Sequence, residues 1–223
     1  MRILSTKILS VKFKDRLIQH GFSVIEYPFI KINPLAVDSK KVLDYAIFTS
    51  QNAVKLSLKN AYFKTQLKEK KCFCVGEKTR FLLEENGLKV MKMSSNALVL
   101  ADFVVKNHKN SSFSFFCGTL RRPEIESLFS KNSIRLQIHE LYSTIHQSKV
   151  IETPFEGVLF FSPSGVKSFF EKNFWTPLVH GFCIGSTTAC TLKEYTNNYS
   201  TAKKPNENQL LLSILNYYNK LHA

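Results

Sequence analysis

The chain has 223 residues, room for one large or two small domains, with the 44% apolar and 22% charged content of an ordinary globular protein. No stretch approaches the ~20 unbroken apolar residues that span a bilayer, and the N-terminal stretch lacks the apolar core of a secretory signal, so a cytoplasmic protein away from membranes is expected. The net charge of +14 rests on 25 lysines and six arginines spread along the whole chain; nucleic-acid readers cluster their charge and favour the arginine fork, so no nucleic acid is expected, and the diffuse lysine excess reads as a solvated surface compatible with attraction of a small polyanion.

Ile3, Leu4, Ile8, Leu9 and Val11 predict a weak first strand carrying Ser5 and Thr6, followed by a helix over 14–20 closed by Gly21. Residues 22–32 read as a long extended segment, broken by Pro28 and closed by Pro34, with a linker as its second half. A short helix is predicted over 39–44, a strand over 46–50 and a helix over 52–60. After a charged loop at 68–71 come a strand over 72–75, a turn at 76–79, a helix over 79–86 ended by Gly87, and a strand over 88–93. Ser94, Ser95 and Asn96 precede a helix carrying Leu98, Leu100, Phe103 and Val104, and the polar stretch 107–112 closes the first half.

The second half opens with a strand over 113–117, a turn at 118–123 and a helix over 124–130 with Pro123 in its first turn. A second long extended segment, 134–145, carries Tyr142. The apolar run 158–161 feeds Ser162-Pro-Ser-Gly165 and a helix reaching about Phe174. The strand 182–184 feeds Gly185-Ser-Thr-Thr188 and a helix with Ala189 and Leu192. A polar turn at 204–208 introduces a final amphipathic helix over 209–221.

The two halves repeat. Ala46-Ile-Phe-Thr-Ser-Gln-Asn-Ala-Val54 aligns with Val158-Leu-Phe-Phe-Ser-Pro-Ser-Gly-Val166 at an offset of 112, and Cys72-Phe-Cys-Val-Gly-Glu-Lys-Thr79 with Gly181-Phe-Cys-Ile-Gly-Ser-Thr-Thr188 at 109. Asn96-Ala-Leu-Val matches Asn208-Gln-Leu-Leu, and 2–25 finds a counterpart in 113–137. Strands alternating with helices imply parallel sheets with right-handed crossovers. The expected fold class is therefore α/β, two similar lobes from an internal duplication, each a parallel sheet flanked by helices, joined by a two-stranded linker. Lobe one takes 1–28 with 148–223, lobe two takes 34–139, and the linkers are 29–33 and 140–147, with a cleft lined by four strand-end turns.

The common enzyme signatures are missing. Ser164 does not sit in a Gly-x-Ser-x-Gly elbow, and no dinucleotide or Walker glycine pattern follows a strand. Cys72, Cys74, Cys117, Cys183 and Cys190 lie in or beside apolar runs and read as buried thiols of a reducing compartment; without metal spacing, no metal is expected. His20, His108, His139, His146, His180 and His222 are scattered and read as surface residues. What the strand ends offer is hydroxyls and unpaired N–H groups, in the turns that begin at Ser50, Gly76, Ser162 and Gly185. Such groups hold carboxylates or phosphates, or simply cap helices.

These strings resemble the uroporphyrinogen-III synthase family. Phe48-Thr-Ser-Gln-Asn-Ala-Val54, Cys117-Gly-Thr-Leu-Arg-Arg122, Tyr142-Ser-Thr144, Phe160-Phe-Ser-Pro-Ser-Gly165 and Ile184-Gly-Ser-Thr-Thr-Ala189 stand in the family's order, with Ser186 where the family has proline. The resemblance implies two α/β lobes working as a monomer with no cofactor, in transient contact at most with the preceding or following enzyme of its pathway. It implies cyclisation of the linear tetrapyrrole hydroxymethylbilane to uroporphyrinogen III, with loss of water and inversion of ring D through a spiro intermediate. A hydroxymethylpyrrole ionises readily because its ring nitrogen stabilises the cation, so the protein's task is proximity and orientation.

Ser50, Gln51, Asn52, Gly76, Thr79, Gly118, Arg121, Ser162, Ser164, Gly165, Gly185, Thr187 and Thr188 are then the candidates for the substrate's carboxylates. Tyr142 is the catalytic candidate, a protonated phenol donating to the departing hydroxyl; the other reading of it is an aromatic packed across the linker. A two-lobed binding protein for another small anion, such as a nucleotide or sugar phosphate, is the alternative function.

Overall fold

The computed structural model describes residues 1–38 and 40–221. The chain divides into two compact units, 1–31 with 145–223 and 32–144. It opens with β1 (Arg2–Ser5), α1 (Val11–Gln19) and β2 (Ser23–Glu26), then β3 (Ile30–Pro34). Next come β4 (Tyr45–Phe48), α2 (Gln51–Lys59), α3 (Ala61–Leu67), β5 (Lys71–Val75), α4 (Glu77–Glu85), β6 (Lys89–Ser94) and α5 (Ala97–Asn107). The second half runs β7 (Ser112–Gly118), α6 (Glu124–Lys131), β8 (Arg135–His146), β9 (Gly157–Phe160), α7 (Pro163–Phe170), β10 (His180–Cys183), α8 (Ser186–Leu192), β11 (Tyr199–Thr201) and α9 (Glu207–Leu221).

One unit carries the sheet β11-β10-β9-β1-β2, the other the sheet β3-β8-β7-β4-β5-β6. The pairings of β1, β9 and β10 and of β4, β5 and β7 are parallel. β3 runs the other way along β8: the Leu35 N–H donates to Leu141 O at 2.9 Å and the Gln147 N–H to Phe29 O at 2.8 Å, so one strand advances as the other retreats. Without β3 the two orders coincide, β6-β5-β4-β7-β8 against β11-β10-β9-β1-β2. The duplication is thus visible in the topology, and each unit combines a three-strand piece from one repeat with a two-strand piece from the other.

Both faces of each sheet are covered, which is why the strands read as nearly continuous apolar runs. Ala46 and Phe48 pack with Phe63 and Leu83 from α3 and α4, while Ile47 between them joins Phe115, Val104 and Phe129 on the α5–α6 side. In the other unit Val158 and Phe160 face Phe169 and Leu192 of α7 and α8, and Leu159 faces Phe13 and Ile214 of α1 and α9. This alternation follows from the two-residue period of a strand.

Several elements differ from the reading of the sequence. α1 begins at Val11 because the Ser10 hydroxyl caps it, accepting from the Phe13 N–H at 3.3 Å, and Val11 itself is exposed. The short helix expected over 39–44 is absent from 40–44, and Ser39 lies outside the described residues. There the Val42 N–H donates to Gln66 Oε1 at 2.8 Å and the Leu43 N–H to Ser114 Oγ at 3.0 Å, so side chains satisfy groups that a helix would have paired. α3 is an additional helix, begun when Asn60 ends α2 and its Oδ1 accepts from the Phe63 N–H at 3.2 Å. α7 stops at Phe170 rather than near Phe174, where the Asn173 amide donates to Phe169 O and Lys149 O at 2.9 and 2.8 Å. β11 was not anticipated either. Four cysteines are buried as expected, but Cys190 is exposed. Burial pushes the thiols of Cys72, Cys117 and Cys183 up to about 12 and that of Cys74 to about 11.

Candidate functional site

In an open parallel sheet, ligands bind beyond the carboxyl ends of the strands, where the order of connections reverses. The reversal falls between β4 and β7 in one unit and between β9 and β1 in the other. Beyond β4 stands Ser50, and β7 ends in Gly118. Tyr142 of β8 occupies the space between them. Gly118 permits this, because a Cβ there would lie 2.6 Å from the Tyr142 ring. The phenol donates to Ser50 Oγ at 3.0 Å, and the same oxygen accepts from the Asn52 N–H at 3.1 Å, capping α2. Burial raises the Tyr142 pKa above its ordinary value, against the opposing hydrogen bond to Ser50, so the phenol stays protonated.

Gln51 and Asn52 form the first turn of α2, the former exposed and the latter half-buried. On the adjoining strand end, Gly76 holds φ at +85°, a conformation that favours glycine. α4 starts there with no side-chain cap, leaving its first N–H groups without a side-chain acceptor. Thr79 turns into the core instead. Arg121 has a different setting from the one expected. Its guanidinium bonds Glu126 at 2.5 Å and also Glu140, and these two carboxylates hold its pKa above the ordinary range against the effect of burial. A substrate carboxylate would have to compete with both. A cavity of about 460 Å³ beside it is lined by Asp38, Lys40, His139 and Glu140 among others, and of the expected residues it reaches Arg121.

In the other unit Ser162 caps α7, accepting from the Gly165 N–H at 3.1 Å, with Pro163 in the first turn. Ser164 is half-buried beside it. Gly165 is buried, and a Cβ there would stand 3.3 Å from Ser162 Oγ and 3.5 Å from Thr6 Oγ1. Thr6 was not among the expected residues, although a hydroxyl at a strand end was the available signal; its Oγ1 donates to Leu159 O at 2.8 Å. Gly185 opens α8 without a side-chain cap, Thr187 is exposed and Thr188 is buried. The expected residues therefore gather as two groups, one per unit, around Ser50 and around Ser162.

Two histidines expected at the surface are buried. His139 stacks on Phe116 at 4.6 Å, and burial, with a smaller effect of Lys40, pushes its pKa down to about 4. Its Nε2 faces the Gln137 amide, which also donates to Lys41 O, so the ring accepts there. His180 Nδ1 donates to Asn198 Oδ1 at 2.6 Å while its Nε2 accepts from Ser200 at 2.8 Å, and burial lowers its pKa too. His222 lies outside the described residues. Among the described residues no three His, Cys, Asp or Glu side chains group as a metal site would require.

A family model described as Uroporphyrinogen-III synthase HemD matches residues 11–211. The chain belongs to the uroporphyrinogen-III synthase family. The match takes in both copies of the repeat, from the first residue of α1 into α9. A curated protein named Uroporphyrinogen-III synthase from Chlorobaculum parvum is 28% identical, over 82% of this chain and 83% of that one. The crystal structure of uroporphyrinogen-III synthetase from Helicobacter pylori shares the fold at a TM-score of 0.72 and 19% identity, covering 97% of this chain and 100% of that one. A mutant uroporphyrinogen III synthase from Thermus thermophilus does so at 0.69 and 14%, covering 99% of each. Among the described residues no helix is long and apolar enough to cross a membrane.

Proposed function

We propose that this member of the uroporphyrinogen-III synthase family is the cyclising lyase itself, converting hydroxymethylbilane to uroporphyrinogen III with inversion of ring D and loss of water. The observation that carries the reading is the family match over residues 11–211, which takes in both groups of strand-end residues. In this reading the first turns of α2, α4 and α7 hold substrate carboxylates through backbone N–H groups, aided by Gln51, Asn52, Gly76, Ser162, Ser164 and Gly165, with Ser50 capping α2. Gly185 and Thr187 supply the equivalent turn before α8, and Gly118 makes room for Tyr142. The buried Thr79 and Thr188 support these turns from inside. The net charge of +14 draws the polyanion in. Leaving-group loss is intrinsically easy, so orientation of a flexible chain supplies the catalysis, and the protein acts in the cytoplasm as a monomer with no cofactor.

The test is turnover of hydroxymethylbilane by the purified protein, followed by oxidation and chromatographic separation of the porphyrin isomers. Isomer III formed faster than the spontaneous reaction yields isomer I supports the reading. Isomer I alone, at the rate of a protein-free control, would end it.

A further inference from the structure

We infer that Ser50, rather than Tyr142, presents the hydrogen-bond donor to the departing oxygen, and that Tyr142 is a positioning residue acting through it. The inference rests on the function just proposed. A serine hydroxyl has one hydrogen and two acceptor lone pairs. Around Ser50 Oγ both acceptor directions are taken, one by the Asn52 N–H at 3.1 Å and one by the Tyr142 phenol at 3.0 Å. Its own hydrogen is what remains to be given. Ser50 is half-buried at the carboxyl end of β4, whereas Tyr142 is only 9% exposed and its phenolic hydrogen points at Ser50. The ring cannot swing freely, because it packs on the Gly118 backbone where a methyl group would already clash.

The arrangement fixes the direction of the hydrogen bonds. With the phenol donating to Ser50 and the Asn52 N–H filling the other lone pair, Ser50 donates outward. Donation from Tyr142 also polarises the serine O–H, making it a better donor than an isolated hydroxyl. In the leaving step the C–O bond breaks with its electron pair going to oxygen, and the pyrrole nitrogen feeds its lone pair into the ring. The N–H proton thereby acidified completes the departing oxygen to water, so no proton is lost from the protein. Ser50 steadies the charge on that oxygen while it leaves.

Steady-state kinetics with hydroxymethylbilane on the full chain test this, using Ser50→Ala, Ser50→Thr, Tyr142→Phe and the double variant Ser50→Ala/Tyr142→Phe. Ser50→Ala is expected to lower kcat about tenfold with little change in KM, and Tyr142→Phe to lower it less. Ser50→Thr, which keeps both the cap and the hydroxyl, restores kcat. The double variant should be no slower than Ser50→Ala, since the phenol has nothing left to act through. If Ser50→Ala fails to fold, Ser50→Gly, which an N-cap position tolerates and which carries no side-chain donor, takes its place. Unchanged kcat in Ser50→Ala, or a Tyr142→Phe loss of undiminished size in that background, would overturn the assignment while leaving the function intact. A wild-type protein that makes no isomer III would instead remove the function, and this inference with it.

Discussion

The contact between Gly118 and Tyr142 leaves no room for a side chain, and this sets a first prediction at the scale of single residues. Gly118→Ala puts a methyl group 2.6 Å from the ring, so Tyr142 must shift away from Ser50. Overpacking of this kind costs about 1–3 kcal/mol, read as a lower urea midpoint, and kcat should fall with it. A variant of wild-type stability would show that the crevice is loose. Arg121 gives a second. Because Glu126 and Glu140 already hold its guanidinium, Arg121→Met should lower the urea midpoint at neutral pH and change KM little. A raised KM at unchanged stability would show that the guanidinium serves the substrate. At this scale the sequence was legible one string at a time. Ser50, Gly118 and Tyr142 each stood out, but 92 positions separate the serine from the tyrosine, and no local periodicity encodes a contact that only the β4–β7–β8 register creates. For the same reason the pairing of Arg121 was hidden: Glu140 meets it from β8 across the end of the neighbouring strand.

Among the elements, the helix N-termini and the buried histidines carry the predictions. Ser162→Ala removes the acceptor for the Gly165 N–H and should destabilise α7 by ~1 kcal/mol in thermal or urea unfolding; no change would mean that water or Thr6 replaces the cap. His139 is held neutral in the fold, with a pKa of about 4 against the ordinary 6.5. As pH falls, the unfolded chain takes up the proton first. The corresponding stability is therefore fully present above about pH 6.5 and is lost progressively down to about pH 4, on the order of 3 kcal/mol in total. His139→Gln should flatten that part of the profile of urea midpoints, and an unchanged slope between pH 6.5 and 4 would contradict the assignment. Long periodic elements were legible because burial on both faces of a sheet imposes apolar runs. What escaped was decided by partners distant in sequence: Gln66 and Ser114 draw the backbone of 40–44 out of a helix, and β11 is a short, partly polar edge strand that only its neighbour β10 defines. α3 escaped because Asn60 ends one helix and starts the next, leaving no loop between them.

At the scale of the molecule, the duplicated module is built from exchanged pieces. The strand pair β1–β2 completes the sheet of β9–β11, while β7–β8 completes that of β4–β6. One unit is thus a continuous stretch of chain, 32–144, and the other is assembled from 1–31 and 145–223. A fragment of residues 30–146 keeps all six strands of its sheet together with α2–α6. It should fold alone, with cooperative unfolding by circular dichroism and protected amides in β4 and β7; a molten or unfolded fragment would contradict the division. The repeat was legible because offsets near 112 place like strings at like strand ends, whereas the exchange of pieces is a fact of topology that alignment of the halves does not reveal. The proposed function requires the protein to turn ring D over. A direct test gives the enzyme hydroxymethylbilane labelled with ¹³C at the bridge carbon between rings C and D and at the ring-D carbon bonded to it, and reads the carbon couplings of the product by NMR. Inversion removes the one-bond coupling between the two labels, in proportion to enzyme concentration. Couplings of an uninverted ring, appearing at the protein-free rate, would contradict it.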